Sequence, residues 1–384
     1  MQISTPESST SINGVNIVCR LKSYFTHATV GGGSRPKPIT TESSVSESRA
    51  DIEFEQALAA VEAETADPVD QVDMLVEIAM GLQQKPKTPT QLHNAVALYD
   101  KALERCPESE VLLAARIQAR RATALQSIPE GGTEYLLQAQ AGLETALITL
   151  SEQGRPEEVA EAEMNLGLVL QSLAGMHQAK LTDAIAAYQR AARFFNREKY
   201  ATEYAILHNN LATAYLSIPM TDERAKMREA LAVQCFEDAL KVVTLVDNPS
   251  EYAMLQNNLG NALQYVSSGH AVENNLRALD AYDEALKVRG KRETPLEYAN
   301  TISNKANCLR NLPDDLERPE SGNASNLKDA HGLYVEARNL FRQYGELTKA
   351  KMLDEILEEI VAESGNGAAP THGQETEFGE ARFK

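Results

Sequence analysis

Hydrophobic positions follow a helical period along most of this chain. Alanine, an aromatic or leucine, and alanine again recur at i, i+4 and i+7. That spacing sets all three on one helix face. The copies are Ala95-Tyr99-Ala102, Ala139-Leu143-Ala146, Ala184-Tyr188-Ala191, Ala232-Phe236-Ala239, Ala278-Tyr282-Ala285 and Ala330-Tyr334-Ala337. A second signature precedes each copy: an apolar residue, a small one, and an apolar one three further on. It reads Ile78-Ala79 with Leu82, Leu166-Gly167 with Leu170, Leu211-Ala212 with Tyr215, and Leu259-Gly260 with Leu263. Divergent copies are Arg121-Ala122 with Leu125 and Lys305-Ala306 with Leu309. Small side chains let two helices approach closely. The pattern therefore predicts six helical hairpins, with the small residue on the first helix and the aromatic on the second.

The intervals say where the repeats vary. The small residues at 79, 122, 167, 212, 260 and 306 are 43, 45, 45, 48 and 46 apart. From the alanine opening each second helix to the next small residue the interval is 27 or 28. Packing between repeats has near-constant length, and the variation falls in the hairpin loops. In a helical solenoid such loops line one edge. The longest, Pro313–Asn326, is rich in Pro, Asp, Glu, Ser, Gly and Asn and predicts an exposed excursion.

The hairpin pattern resembles the tetratricopeptide repeat, whose unit is two antiparallel helices with a Leu-Gly pair in the first and Ala, Tyr/Phe and Ala in the second. The period here is longer than that family's. The stretch from Tyr252 to Tyr265, with Asn257-Asn258-Leu259-Gly260 at its centre, is similar to bacterial and cyanobacterial arrays associated with CHAT peptidases, and more distantly to kinesin light chains. The resemblance implies an all-α superhelix of about six hairpins that binds a protein segment in its concave groove. A second implication is an assembly or maturation chaperone for a metalloenzyme, for example an uptake hydrogenase. No segment is long enough to carry a CHAT catalytic module.

Outside the repeats, 1–49 reads as a disordered or targeting tail and 50–67 as a helix with Phe54, Leu58 and Val61 on its apolar stripe. The repeats occupy 68–344. A capping helix follows at 345–363, with Leu347, Leu353, Ile356, Leu357 and Ile360 on one side and Asp354, Glu355, Glu358 and Glu359 on the other. Residues 364–384 read as a disordered tail.

Composition narrows the function. Of 384 residues, 37 are Lys or Arg and 55 Asp or Glu, a net charge of −18. So acidic a chain is a poor binder of nucleic acid or anionic lipid, and it favours a basic partner. Aromatics are 5% and Trp is absent, which argues against a large β-sheet fold. Cys19, Cys106, Cys235 and Cys308 lie far apart and form neither a zinc signature nor a disulfide framework. A reducing compartment follows: the cytoplasm, or an organelle stroma or matrix if the Ser/Thr-rich first 40 residues, with Arg20, Lys22, Arg35 and Lys37, are a transit peptide. No apolar run approaches 18 residues, so no membrane insertion is expected.

No catalytic constellation is present. The histidines form no HExxH or HxH, and Gly31-Gly32-Gly33 is followed by no GK[ST]. The expectation is a non-enzyme without metal or cofactor. One pattern does ask for a reason. Asn165, Asn210, Asn258 and Asn304 stand directly before the apolar/small pair in four successive repeats, although Asn is a mediocre helix former. Two readings fit this column. The amides bond to a neighbouring helix and fix the stacking, or they form a ladder along the groove. A side-chain amide offers donor and acceptor, as a peptide bond does. Asn209, Asn210, Asn257, Asn258, Asn261, Gln264, Asn300, Asn304, Asn307 and Arg310 are the candidate groove residues, with Tyr265 and Ser303 beside them. The matching face of earlier repeats, with Val76, Met80, Ala119, Met164 and Leu168, is more apolar.

Overall fold

The computed structural model describes residues 54–365, apart from 57, 60, 62–66, 85, 87, 129–131, 219–223 and 267–269. The expected tails therefore lie outside the described residues. Every regular element among those described is helical. In chain order they are α1 Pro68–Gln84, α2 Pro89–Arg105, α3 Val111–Gln126, α4 Gly132–Gln153, α5 Pro156–Gly175, α6 Leu181–Ala192 and α7 Ala201–Ser217. Then come α8 Ala225–Leu240, α9 Pro249–Tyr265, α10 Ala271–Leu286, α11 Pro295–Arg310, α12 Ala324–Gln343 and α13 Leu347–Gly365, with a 3-10 turn Pro319–Ser321 before α12. The chain forms two compact units, divided between Thr149 and Leu150.

In the first unit, α1 packs on α2 and α2 on α3. Val72, Leu75, Ala79, Leu98, Tyr99 and Ile117 build its core, with Val61, Phe54 and Leu58 from the preceding segment packed against it. A Cβ on Gly142 of α4 would sit 3.5 Å from the Ala122 Cβ of α3, the close approach that the small residues predict.

The second unit is a stack of hairpins. α5 pairs with α6, α7 with α8, α9 with α10, and α11 with α12. Each second helix also touches the next first helix, and α13 closes the stack on α12. Across both units, none of the eighteen residues of the Ala–aromatic/Leu–Ala signature is more than 1% exposed. The fold is all-α and built of tetratricopeptide-like hairpins.

The local chemistry explains the boundaries. Pro68, Pro89, Pro156, Pro249 and Pro295 each open a helix, where a missing N–H costs nothing. At α5 the Glu158 carboxylate accepts the Arg155 backbone N–H at 2.9 Å, satisfying the donor at the helix start. The exposed 313–326 excursion is pinned. Both carboxylate oxygens of Asp314 accept backbone N–H groups at the start of α12, from Ser325 and Asn326 at 2.8 Å. The Asn326 amide in turn donates to the carbonyls of Leu312 and Pro313.

Candidate functional site

The four tyrosines at this position, Tyr99, Tyr188, Tyr282 and Tyr334, each reach a polar partner on the first helix of their hairpin. Tyr99 donates to Gln83 Oε1 at 3.1 Å and Tyr188 to Gln171 Oε1 at 2.8 Å. Each glutamine then donates onward to the first helix of the next repeat: Gln83 to Thr123 Oγ1 at 3.0 Å, Gln171 to Thr213 Oγ1 at 3.3 Å. Tyr282 donates to Asn261 Oδ1 at 2.7 Å, and Gln264 Nε2 meets both the Tyr282 hydroxyl and the Asn304 carbonyl. Tyr334 donates to Asn307 Oδ1. A buried tyrosine thus keeps its hydroxyl satisfied while its glutamine or asparagine ties helices together. The sequence carried a signal for this tie: Gln83, Gln171 and Gln264 each stand four positions after the small residue.

The asparagine column lies beside this tie in the second unit. Asn258 Nδ2 of α9 donates to Asn209 Oδ1 of α7 at 3.3 Å, and Asn209 Nδ2 to Asn210 Oδ1 at 3.2 Å. Asn304 Nδ2 of α11 donates to Asn257 Oδ1 of α9 at 3.4 Å, and the Thr301 hydroxyl stands 3.2 Å from the same oxygen. Asn165, Asn209, Asn210 and Asn257 are buried.

Four of the amides spend only one pole inside the protein. Asn258 and Asn304 use Nδ2, and their Oδ1 accepts nothing among the described residues. Asn261 and Asn307 use Oδ1, and their Nδ2 donates to nothing among the described residues. None of these four poles is sealed from solvent. So α9 and α11 each present one open acceptor and one open donor, three residues apart on the same helix. Positions so spaced are neighbours on a helix surface, with Cβ atoms about 5–6 Å apart.

The remaining candidates divide. The half-buried Asn300 amide has no partner among the described residues, and the Ser303 hydroxyl donates to the Asn300 carbonyl at 2.9 Å. Arg310 Nη1 pairs with Glu359 of α13 at 3.1 Å, so this cation serves the junction with the last helix. Nothing is described of the Tyr265 side chain. Of the apolar residues assigned to the earlier part of the groove, Val76, Met164 and Leu168 are buried core rather than an open face.

Burial raises the thiol pKa of each described cysteine, which disfavours the reactive thiolate. Cys308 is fully buried and Cys235 partly, and burial pushes both thiols up to about 12. His208 stacks on Tyr204 with ring centroids 3.9 Å apart, and its Nδ1 lies 2.9 Å from the Tyr204 carbonyl. Burial holds its pKa below the ordinary value. Among the described residues no group of His, Cys, Asp or Glu could hold a metal, and no helix is long and apolar enough to cross a membrane.

No family model matches the chain, and no curated protein does. Solved structures do. The TPR2AB domain of yeast Sti1, described as a pHSP90 complex, is 15% identical over 76% of this chain and 99% of that one, with a TM-score of 0.28. A Rap protein complexed with competence and sporulation factor is 14% identical over 85% and 89%, with a TM-score of 0.34. At such scores the fold assignment rests on the chain's own hairpins.

Proposed function

We propose that this protein is a non-catalytic adaptor that holds an extended segment of a partner protein along α9 and α11. The observation that supports this reading is the repeated pair of open amide poles, Asn258 with Asn261 and Asn304 with Asn307. An extended chain presents the N–H and C=O of one residue to the same side. The open Oδ1 accepts the N–H, and the open Nδ2 donates to the C=O. The inward poles hold the repeats in register, so the outward poles are fixed before any ligand arrives. Preorganisation of this kind reduces the entropy lost on binding. Backbone recognition makes little demand on sequence, and the net charge of −18 steers basic segments into encounter.

The test uses the full chain and peptides selected on it from a random-sequence display library. Asn261→Asp and Asn307→Asp keep the acceptor for Tyr282 and Tyr334 but remove the outward donor. Leaving a buried carbonyl unpaired costs about 1–3 kcal/mol. The double variant should therefore bind the selected peptides at least about tenfold more weakly, with its helical CD unchanged. Equal affinity for the double variant would refute the reading, as would a selection that yields nothing above an unrelated control protein.

A further inference from the structure

In the second unit one column changes character. Six residues before the first residue of α7, α9 and α11 stand Phe195, Val243 and Arg289. Six residues after it stand Leu207, Leu255 and Thr301. Phe195, Val243, Leu207 and Leu255 are buried core. At the third junction an arginine and a threonine take their places, and Thr301 is fully buried. Placing a half-buried cation where two sister positions bury hydrocarbon breaks the local rule of the fold. Such breaks without a structural return mark functional positions.

Arg289 receives little structural return. Its Nη1 donates to Thr301 Oγ1 at 2.8 Å, and that hydroxyl stands beside Asn257 in the amide row. Nε and Nη2 meet no acceptor among the described residues, and neither is sealed from solvent. Glu297 acts on Arg289 through space but makes no ion pair with it. Burial outweighs that attraction and lowers the arginine to about 10.

Nε and Nη2 form the side edge of a guanidinium, whose two parallel N–H groups fit the two oxygens of a carboxylate. The same edge is filled elsewhere in this chain. Arg190 gives Nε and Nη2 to Glu163 at 2.6 and 2.7 Å, and Arg121 gives the same two atoms to Asp100. At Arg289 this edge meets no acceptor among the described residues.

We propose that Arg289 is an anion-recognition point that takes a carboxylate carried by the bound segment, fixing its register on the amide row. This rests on the segment-binding reading, but it can fail separately, because its probe is a small anion rather than a peptide. Arg289 is a specificity device: in a chain of net charge −18, an acidic group gains at this place and is repelled elsewhere.

The test is a titration of the full-length protein, labelled with 15N-arginine, by sodium acetate replacing sodium chloride at constant ionic strength. The Nε–Hε resonance absent from Arg289→Gln should shift and saturate at millimolar acetate, while that of Arg310 stays put. Thermal unfolding gives a second readout. Acetate should raise the midpoint of the wild type and leave Arg289→Val, which restores the residue type of the sister junction, unmoved. The proposal falls if the resonance drifts without saturating, or if Arg289→Val gains the same acetate-dependent rise. It also falls if acetate moves the resonance only after Glu297→Gln, since Glu297 would then be the counter-ion. Inorganic phosphate saturating the resonance at lower concentration than acetate would overturn the assignment to a carboxylate.

Discussion

Gly260 offers a test in which two effects of opposite sign compete. A Cβ built on it would lie 2.6 Å from Cε1 and 2.7 Å from Cζ of Tyr282. Comfortable carbon–carbon contact begins near 3.5 Å, so the ring would have to retreat by about 1 Å. Tyr282 has nowhere to retreat within the present spacing. It is fully buried, and its hydroxyl is held by Asn261 and Gln264. Removing a helix-interior glycine is worth about 1 kcal/mol to the helix. Overpacking a core of this kind costs about 1–3 kcal/mol, and disturbing the buried hydroxyl about 1 kcal/mol more. Relief by moving the helices apart bounds that cost, because Ala79, Ala212 and Ala306 occupy the same place in repeats whose second helices carry Tyr99, Phe236 and Tyr334. Gly260→Ala should therefore destabilise the α9–α10 hairpin by about 1–2 kcal/mol. In a Tyr282→Leu background, which recreates the Ala122 and Leu143 combination of the second repeat, the same change should stabilise by about 1 kcal/mol. Hydrogen exchange of the α9 and α10 amides reads this local free energy. Stabilisation by Gly260→Ala in the wild-type background would show that helix propensity, not the glycine–tyrosine contact, decides the position.

Other consequences follow from named contacts. Asp314→Ala removes the carboxylate that accepts the Ser325 and Asn326 N–H groups, and should cost about 1 kcal/mol, with faster exchange at the start of α12. His208, held below its ordinary 6.5 by burial, binds fewer protons folded than unfolded as pH falls through that value. Stability it contributes is complete above about pH 6.5 and declines below it toward the folded pKa. The urea midpoint of the wild type should therefore fall more between pH 8 and pH 5.5 than that of His208→Phe, which keeps the ring on Tyr204 but cannot titrate.

The hairpins were legible because their signature is a packing requirement. Alanine at i and i+7 around Tyr282 or Tyr334 leaves room for a ring, and small residues such as Gly167 leave room for the ring's neighbour, so helix face and pairing follow together. The anchored state of the 313–326 excursion was not legible. Its composition says loop, while its order depends on Asp314 meeting the N–H groups of residues eleven and twelve further on. The asparagine column was found as a pattern, but sequence offered stacking or binding as alternatives. The geometry supports the stacking reading, since Asn258 and Asn304 turn one pole to a neighbouring helix; the other pole stays open, and binding there is the proposal. Arg310 read as a groove cation because nothing in the sequence places Glu359 beside it. The oddity of Arg289 appears only when it is aligned with Phe195 and Val243 at their shared distance from the following helix.

Open amide poles that pair with the backbone of a bound segment make a sharp prediction about that backbone. The most direct measurement is an ester scan. Each backbone amide of a selected peptide is replaced in turn by an ester, which deletes one N–H and leaves every side chain in place. Loss of one charge-neutral hydrogen bond, with its acceptor left unpaired, costs about 1–3 kcal/mol. Loss of about tenfold or more is expected at two positions, one for Asn258 Oδ1 and one for Asn304 Oδ1, with a smaller loss at the bond following each, where the weakened carbonyl faces Asn261 or Asn307, and little change elsewhere. A scan in which no ester weakens binding more than about twofold, while side-chain truncations abolish it, would rule out backbone pairing to these amides.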